Sequence, residues 1–138
     1  SDNPHKGFVG DVHDEWGNIP PAGYGVYPAP VVAQLKKYGV TAKDVYGYTL
    51  AELQKQIASG NPVIVWVIGR VEMGKASDYT SSDGETSLVA RYQHTVLVIG
   101  YNHEKLSILD GDRVYERSYD QFLTSWAVLG NMAIVKSE

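Results

Sequence analysis

The spacing of hydrophobic residues between positions 28 and 60 predicts two helices. The first covers residues 29–38, where apolar side chains recur at helical spacing: Val31, Val32, Leu35 and Tyr38. Prolines at its start and Gly39 at its end suit the two helix termini. The second helix begins at a capping box of Thr49 and Glu52, whose side chains satisfy free backbone amides, and it runs through Ile57.

Beyond position 62 the hydrophobic pattern predicts strands. Residues 63–68 form an unbroken run of mostly β-branched side chains, which favours a central strand covered on both faces. Residues 95–99 and 106–109 predict a hairpin around a short polar turn. Further elements close the chain: a strand over 113–117, a helix entered through the capping box Ser118 to Gln121, and an edge or returning strand over 132–135.

Residues 1–28 and 69–91 show no sustained hydrophobic period. The first segment is punctuated by Gly and Pro, and its aromatic side chains favour packing over disorder: Phe8, Trp16, Tyr24 and Tyr27. The second, with 81–84 as a turn candidate, predicts an excursion across the surface. Helices followed by strands at hairpin spacing predict one α+β domain over residues 1–138, built around an antiparallel sheet.

Composition narrows the classes of function. The 138 residues carry 12 Lys and Arg against 16 Asp and Glu, so a net charge of −4 gives no general attraction for nucleic acid, and we expect no such partner. No apolar run approaches the ~20 residues of a bilayer-spanning helix, so we expect no transmembrane segment. The chain has no cysteine, which excludes disulfides, thiolate metal sites and thiol nucleophiles within it.

His94 is the leading candidate for chemistry because it stands at the entrance of a strongly apolar strand. A polar ring is costly to bury there without a hydrogen bond, and Asp110, at the far end of the hairpin partner, is the best candidate to supply one. Asp112 is the rival carboxylate.

The turn of the hairpin decides whether the two side chains meet. With a three-residue turn at 102–104, Tyr101 faces Lys105, and His94 and Asp110 share a face as diagonal neighbours, about 7 to 8 Å apart along the backbone. An even turn without a bulge places them on opposite faces and removes the pairing.

A His–Asp pair has two interpretations here. The carboxylate can orient the imidazole as the base half of a nucleophilic triad, or the pair can be purely structural. Acidic clusters at 11–15 and 110–112 lack the ligand spacing of metal sites, so we predict no metal and rank a metal-dependent enzyme using His13 last. We expect His5 and His103 to be exposed.

An ordered set of segments carries a family resemblance: NPHKGFVGD at 3–11, YGVYP at 24–28, GNPVIVW at 60–66, QHTVLVIGY at 93–101 and ILDG at 108–111. Together they resemble the peptidase C-39-like domains, papain-like cysteine peptidases related to the bacteriocin-processing peptidases of export transporters. The resemblance runs through essentially the whole chain, and its specificity comes from the ordered set.

The resemblance implies a papain-like α+β fold in which helices carry a Cys nucleophile and an antiparallel sheet carries the His and the Asp. It implies that His94 is the general base and Asp110 the orienting carboxylate, with Asp110-Gly111 where the family often has Asp-Pro. The family's Cys lies upstream of the segment resembling residues 3–28. We therefore expect the carboxy-terminal part of a peptidase without its first helices; the alternative is a natural protein without the nucleophile.

The intact protein is accordingly expected to cleave a peptide or protein substrate without a cofactor. The apolar face that the missing helices leave is expected to be covered by the arm of residues 1–28 or by another chain. The missing amino-terminal segment or a second chain is expected as a partner. By analogy with relatives we expect an extracellular or cell-surface location. The rival hypothesis is an inactive module that binds a peptide in the same cleft through Trp66, Tyr92 and the aromatic residues of 1–28, although core packing is the simpler interpretation of Trp66.

Overall fold

The computed structural model describes residues 1–23 and 25–137. In chain order the elements are α1 (Pro28–Lys37), β1 (Ala42–Val45), α2 (Leu50–Ala58), β2 (Val63–Ile68), β3 (Ala76–Thr80), β4 (Thr86–Ala90), β5 (Gln93–Tyr101), β6 (Lys105–Asp110), β7 (Arg113–Ser118), α3 (Tyr119–Ala127) and β8 (Ala133–Lys136). Tyr24, one of the aromatic residues expected to pack, lies outside the described residues.

The architecture is α+β, as the sequence predicts. Six strands form one sheet in the order β1-β8-β2-β5-β6-β7, and all neighbouring strands in it are antiparallel. Strand β2 lies at the centre of this sheet, which confirms the prediction from its unbroken apolar run. Strands β3 and β4 form a separate two-stranded hairpin within the segment predicted as a surface excursion.

Each face of the sheet carries its own apolar cluster because side chains alternate along β2. Val63, Val65 and Val67 belong to the cluster that Leu53 of α2 and Trp126 of α3 cover. The other face has its own buried set, against which α1 packs: Tyr27, Trp66, Ile68, Ala90, Leu129, Met132 and Ile134. The sheet is therefore covered on both sides, and Trp66, 2% exposed, is a core residue.

The predicted helices are confirmed, and their starts follow the local sequence signals. Thr49 accepts a hydrogen bond from the amide of Glu52, and Ser118 accepts one from the amide of Gln121, so both predicted capping boxes form. Of the two positions predicted for the last strand, an edge or a returning strand, the structure shows the returning strand, antiparallel to β2, and not the edge. Strand β8 lies inside the sheet because β1, which the sequence pattern did not predict, pairs along its outer side.

Residues 1–23 and 25–27 form an irregular arm that is fixed to the body at several points. Val9 and Gly25 form an isolated antiparallel bridge within it. Near its start, the fully buried Asn3 donates to Asp83 at 3.0 Å and to Glu85 at 2.7 Å, in the turn of the β3–β4 hairpin. The arm is therefore held in place by hydrogen bonds rather than by regular secondary structure.

Within 1–23 and 25–137 no helix is both long enough and apolar enough to span a membrane.

Candidate active site

The structure brings His94 and Asp110 together at the end of the sheet. Nε2 of His94 lies 2.7 Å from Oδ1 of Asp110, and the two side chains are 35% and 16% exposed. A carboxylate at this distance accepts a hydrogen bond from the Nε2–H group and fixes the ring in the tautomer whose Nδ1 lone pair is free to take a proton. Within the described part of the chain, no hydrogen bond joins Nδ1 to another residue.

The pairing of β5 with β6 explains how the two side chains meet. At the turn Tyr101 pairs with Leu106, so the predicted pairing of Tyr101 with Lys105 is wrong by one residue. A β-bulge between Val98 and Gly100 then shifts the register, and beyond it Leu97 pairs with Leu109. This is the register that the sequence predicted for His94 and Asp110. The even turn alone would have placed the two side chains on opposite faces of the sheet, and the bulge brings them onto the same face.

Asp110 has a second partner on the adjacent strand. The hydroxyl of Tyr115 donates to Oδ2 of Asp110 at 2.8 Å. Burial alone would raise the pKa of Asp110, but the hydrogen bonds from His94 and Tyr115 and the positive charge of Arg70 outweigh it and hold that pKa below its ordinary value. Asp110 is therefore a carboxylate at neutral pH, with both oxygens occupied.

A cleft of about 310 Å³ opens beside the imidazole. Its lining comes from the arm and from the ends of β2 and β5: Phe8, Trp16, Gly25, Val26, Trp66, Gln93, His94 and Thr95. The arm lies close against β5 at Gly25, where an added Cβ would come within 2.2 Å of the Gln93 side chain. Glycine at position 25 thus permits the contact that forms one wall of the cleft.

Trp16 and Tyr92 provide exposed aromatic surface next to His94. The Trp16 ring lies 6.0 Å from the His94 ring and 5.2 Å from the Tyr92 ring, both in edge-to-face arrangements. Trp16 is 46% and Tyr92 44% exposed. Trp16 lines the cleft, and the two rings together present a flat aromatic surface beside the imidazole.

The loop after β2 and the turn before β5 contain unusual backbone conformations. Tyr92 has φ of 59° and the buried Val71 has φ of 64°, a region that β-branched residues rarely adopt. The carbonyl of Tyr92 accepts a hydrogen bond of 2.7 Å from the amide of Gly69, which joins the two loops. Backbone strain of this kind is concentrated at functional sites.

The remaining sequence candidates are placed elsewhere. Asp112 is exposed and makes no hydrogen bond to His94. Asp11 accepts from the amide of His13 within an exposed turn, and among the described residues no group of three or more His, Asp and Glu side chains is arranged to hold a metal ion. His103 is exposed as predicted.

The prediction that His5 is exposed is wrong. Its ring packs edge-on against Tyr27, with 4.8 Å between the ring centroids, and burial lowers its pKa. It lies at a separate apolar cavity of about 240 Å³.

Sequence reasoning did not identify Tyr115 as part of the site. The alternating strand at 113–117 was predicted correctly, and the pairing of Tyr115 with Ile108 places it on the face that Ile108 shares with Asp110. The alternation of side chains along β7 could therefore have placed Tyr115 on the same face as Asp110, but only if the register of β6 with β7 had been known.

The curated Bacillus subtilis (strain 168) protein YvpB, described as uncharacterized, is 29% identical over 138 aligned residues, which cover 96% of this chain and 52% of YvpB. The chain thus spans about half the length of that relative. A solved structure of a "putative C39-like peptidase" from Bacillus anthracis is 28% identical, with a TM-score of 0.82, and the match covers 99% of this chain and 69% of that one.

The structural match confirms the fold class that the resemblance implied, an α+β fold with a large antiparallel sheet. The sequence profile of the Peptidase_C39 like family matches residues 1–134, which is nearly the whole chain. This chain therefore belongs to the Peptidase_C39 like family.

Proposed function

We propose that this chain supplies the general base and the orienting carboxylate of a cysteine peptidase, and that the nucleophilic thiol comes from polypeptide outside these 138 residues. The 2.7 Å hydrogen bond between Nε2 of His94 and Oδ1 of Asp110 carries the proposal. It leaves Nδ1 as the basic nitrogen, next to an open cleft that can admit both a thiol and a peptide.

The proposed reaction proceeds in two stages. Nδ1 of His94 takes the thiol proton, the thiolate attacks the peptide carbonyl carbon, and the imidazolium gives the proton to the leaving amine as the C–N bond breaks. His94 then takes a proton from water, whose oxygen attacks the thioester carbon. The imidazolium returns that proton to the sulfur as the C–S bond breaks, which restores the thiol and releases the carboxylic acid product. Asp110 stabilises the imidazolium throughout and holds its orientation.

The source of the thiol follows from the family and from the cysteine count. The chain contains no cysteine, so no residue within it can form the thioester. In the family that the chain resembles, the nucleophile precedes the segment equivalent to residues 3–28. We infer that a preceding segment of the same polypeptide supplies the Cys and packs on the cleft side of the arm.

The test uses the full encoding polypeptide and the 138-residue chain in parallel. We expect the longer protein to hydrolyse peptides and to lose activity when its upstream Cys is replaced by Ala, when His94→Ala is introduced, or when Asp110→Asn is introduced. We expect the 138-residue chain alone to be inactive. His103→Ala is the matched control because this histidine is highly exposed and lies in the turn between β5 and β6, whereas Asp110 is at the other end of β6.

Two results would overturn the proposal. One is peptide hydrolysis by the 138-residue chain, which has no thiol. The other is activity of the longer protein that survives His94→Ala while responding to His103→Ala.

A second candidate function is a peptide-binding module that does not cleave. It is favoured by the exposed rings of Trp16 and Tyr92 at the cleft together with the absence of cysteine from the sequence. Trp66, which this hypothesis also assigned to the binding surface, lines the cleft but is 2% exposed, so it offers little surface to a peptide. Peptides that bind the full polypeptide but stay intact over prolonged incubation would favour this function over the first.

A further inference from the structure

We propose that Tyr115 is a positioning residue for the His94–Asp110 pair: its hydroxyl fixes the Asp110 carboxylate in the orientation that holds the imidazole. This inference rests on the proposed function, because a positioning role has a catalytic consequence only if His94 acts as a base. The geometry itself belongs to this chain and can be tested without any thiol.

The two carboxylate oxygens of Asp110 have different partners. Oδ1 accepts from Nε2 of His94 at 2.7 Å, and Oδ2 accepts from the hydroxyl of Tyr115 at 2.8 Å. The terminal torsion of an Asp side chain is broad, so one hydrogen bond alone leaves the carboxylate free to rotate. The second bond removes that freedom and keeps Oδ1 directed at the imidazole.

Tyr115 is itself held from two sides. On β7 it pairs with Ile108, and its ring packs against the main apolar cluster. The guanidinium of Arg117 lies 4.2 Å from the centroid of the Tyr115 ring. Nε of Arg117 also donates to the carbonyl of Arg70 at 3.0 Å, which ties this stack to the loop after β2.

The charges around the carboxylate come from three elements. His94 on β5 and Tyr115 on β7 are hydrogen-bonded to the carboxylate of Asp110. The positive charge of Arg70 acts on it from the loop after β2. On β7, Arg113 is the residue paired with Asp110. Burial, together with the neighbouring carboxylate, raises the pKa of Tyr115, so its hydroxyl stays protonated and donates at neutral pH. The Tyr115 bond also helps to keep the pKa of Asp110 low.

Removing only the hydroxyl of Tyr115 should therefore change the pKa of Asp110 in a predictable direction. In Tyr115→Phe the carboxylate loses a donor that stabilises its charged form, so its pKa rises. A role limited to packing would leave that titration unchanged, because the ring remains in place.

The test is a pH titration of the Asp side-chain carboxyl resonances by ¹³C NMR on the 138-residue chain. We expect the Asp110 midpoint to lie at higher pH in Tyr115→Phe than in the wild type. Tyr119→Phe is the matched control, because its hydroxyl donates to the backbone carbonyl of Asn102 and not to Asp110. An unchanged midpoint in a folded Tyr115→Phe protein, or an equal shift in Tyr119→Phe, would overturn the inference.

A second measurement needs no substitution. In the wild type, the Cζ resonance of Tyr115 should shift with the same midpoint as the Asp110 carboxyl, because the two groups share a hydrogen bond. A Cζ resonance that does not respond while Asp110 titrates would also overturn the inference, even if Tyr115→Phe failed to fold.

Kinetics on the full polypeptide separate this inference from the proposed function. We expect Tyr115→Phe to lower kcat about tenfold with KM unchanged, the loss of one hydrogen bond to a charged group. An NMR shift in a protein whose wild type cleaves no peptide would sink the peptidase proposal and leave the positioning geometry standing. An active wild type combined with no NMR shift in Tyr115→Phe would overturn the positioning role of Tyr115 and leave the peptidase proposal standing.

Discussion

Leu97 lies opposite Leu109 on the neighbouring strand, one residue out of step with the pairing of Tyr101 and Leu106 at the turn of the same hairpin. The extra residue is Ile99, which forms the bulge of β5. Without this step the side chains of His94 and Asp110 would point to opposite faces of the sheet. The hydrogen bond of the candidate site thus depends on a backbone irregularity that lies several residues away from it.

Deleting Ile99 should remove the bulge and keep the site. The pairs on either side, Leu97 with Leu109 and Gly100 with Ser107, are already in the register of a regular hairpin once the extra residue is gone. The bulge also lies beyond the last residue pair between β5 and β2, Val98 with Val63. We expect the hydrogen-bonded Nε2 proton of His94 to remain visible by ¹H–¹⁵N NMR.

Deletion of Thr95 is the matched comparison in the same strand. It moves His94 one place along β5 and onto the other face, so the Nε2 proton signal should disappear. Retention of the signal in that variant, or its loss in a folded Ile99 deletion, would contradict the register argument.

Asp110→Asn should destabilise the protein in a pH-dependent way. The folded-state pKa of Asp110 lies below the ordinary value of 3.8, so its ionised form contributes stability above that pH and loses it as the pH falls through the folded value. We expect a loss of about 2 kcal/mol in the free energy of unfolding at pH 7, typical of a hydrogen bond to a charged group. The difference from the wild type should narrow in strong acid.

Urea unfolding at neutral and acid pH measures this difference. Asp112→Asn provides the control, since that carboxylate is exposed and not bonded to His94. A destabilisation that is equal at both pH values would show that the charge of Asp110 is not its cause.

Trp16→Ala should uncover His94 at little cost to the fold. The indole is about half exposed and contacts the rings of His94 and Tyr92, so we expect a loss of about 1 kcal/mol in unfolding free energy, in the range of an aromatic pair. Modification of His94 by diethyl pyrocarbonate, followed by mass spectrometry, should become severalfold faster. Modification of His103 in the same sample gives the internal reference, and an unchanged His94 rate would exclude a shielding role for Trp16.

Asn3→Ala should release the arm from the hairpin. The buried side chain of Asn3 donates to Asp83 and Glu85, and Lys6 adds an ion pair of 2.8 Å with Asp83. Without the amide, two neighbouring carboxylates lose a shared donor, so we expect faster proteolysis within residues 1–23 at neutral pH. Asn61→Ala, which removes only a bond to Gln56, is the control. Equal cleavage of the two variants would show that Asn3 does not anchor the arm.

Local sequence signals were sufficient for the elements that form from their own residues. The capping boxes at Thr49 and Ser118 involve neighbours in sequence, and the apolar run of β2 reflects burial on both faces. Strand β1 could not be predicted in this way. It is a short segment with two exposed polar residues, Lys43 and Asp44, and it becomes a strand because β8 pairs with it.

The candidate site likewise combines features that local sequence predicts with features that depend on tertiary contacts. The period-2 rule was enough to place His94 and Asp110 on one face, but it assumed the wrong turn, and nothing local in the sequence reveals the bulge at Ile99. The positions of Trp16 and Tyr115 beside the pair depend on the path of the arm and on the pairing of a third strand. These are tertiary arrangements, which residue spacing does not encode.

The placement of β8 between β1 and β2 has a consequence for biosynthesis. Strand β1 and one side of β2 leave the ribosome long before the strand that completes them, so the growing chain exposes an unpaired strand edge until residue 136 emerges. Val65 of β2 pairs with Ala133 of β8, and Val67 of the same strand pairs with His94, so the strand next to the imidazole is fully paired only once β8 has formed. Assembly of the site therefore waits until β8 has been synthesised, and premature stops before Ala133 should yield chains that aggregate rather than shortened proteins with an intact site.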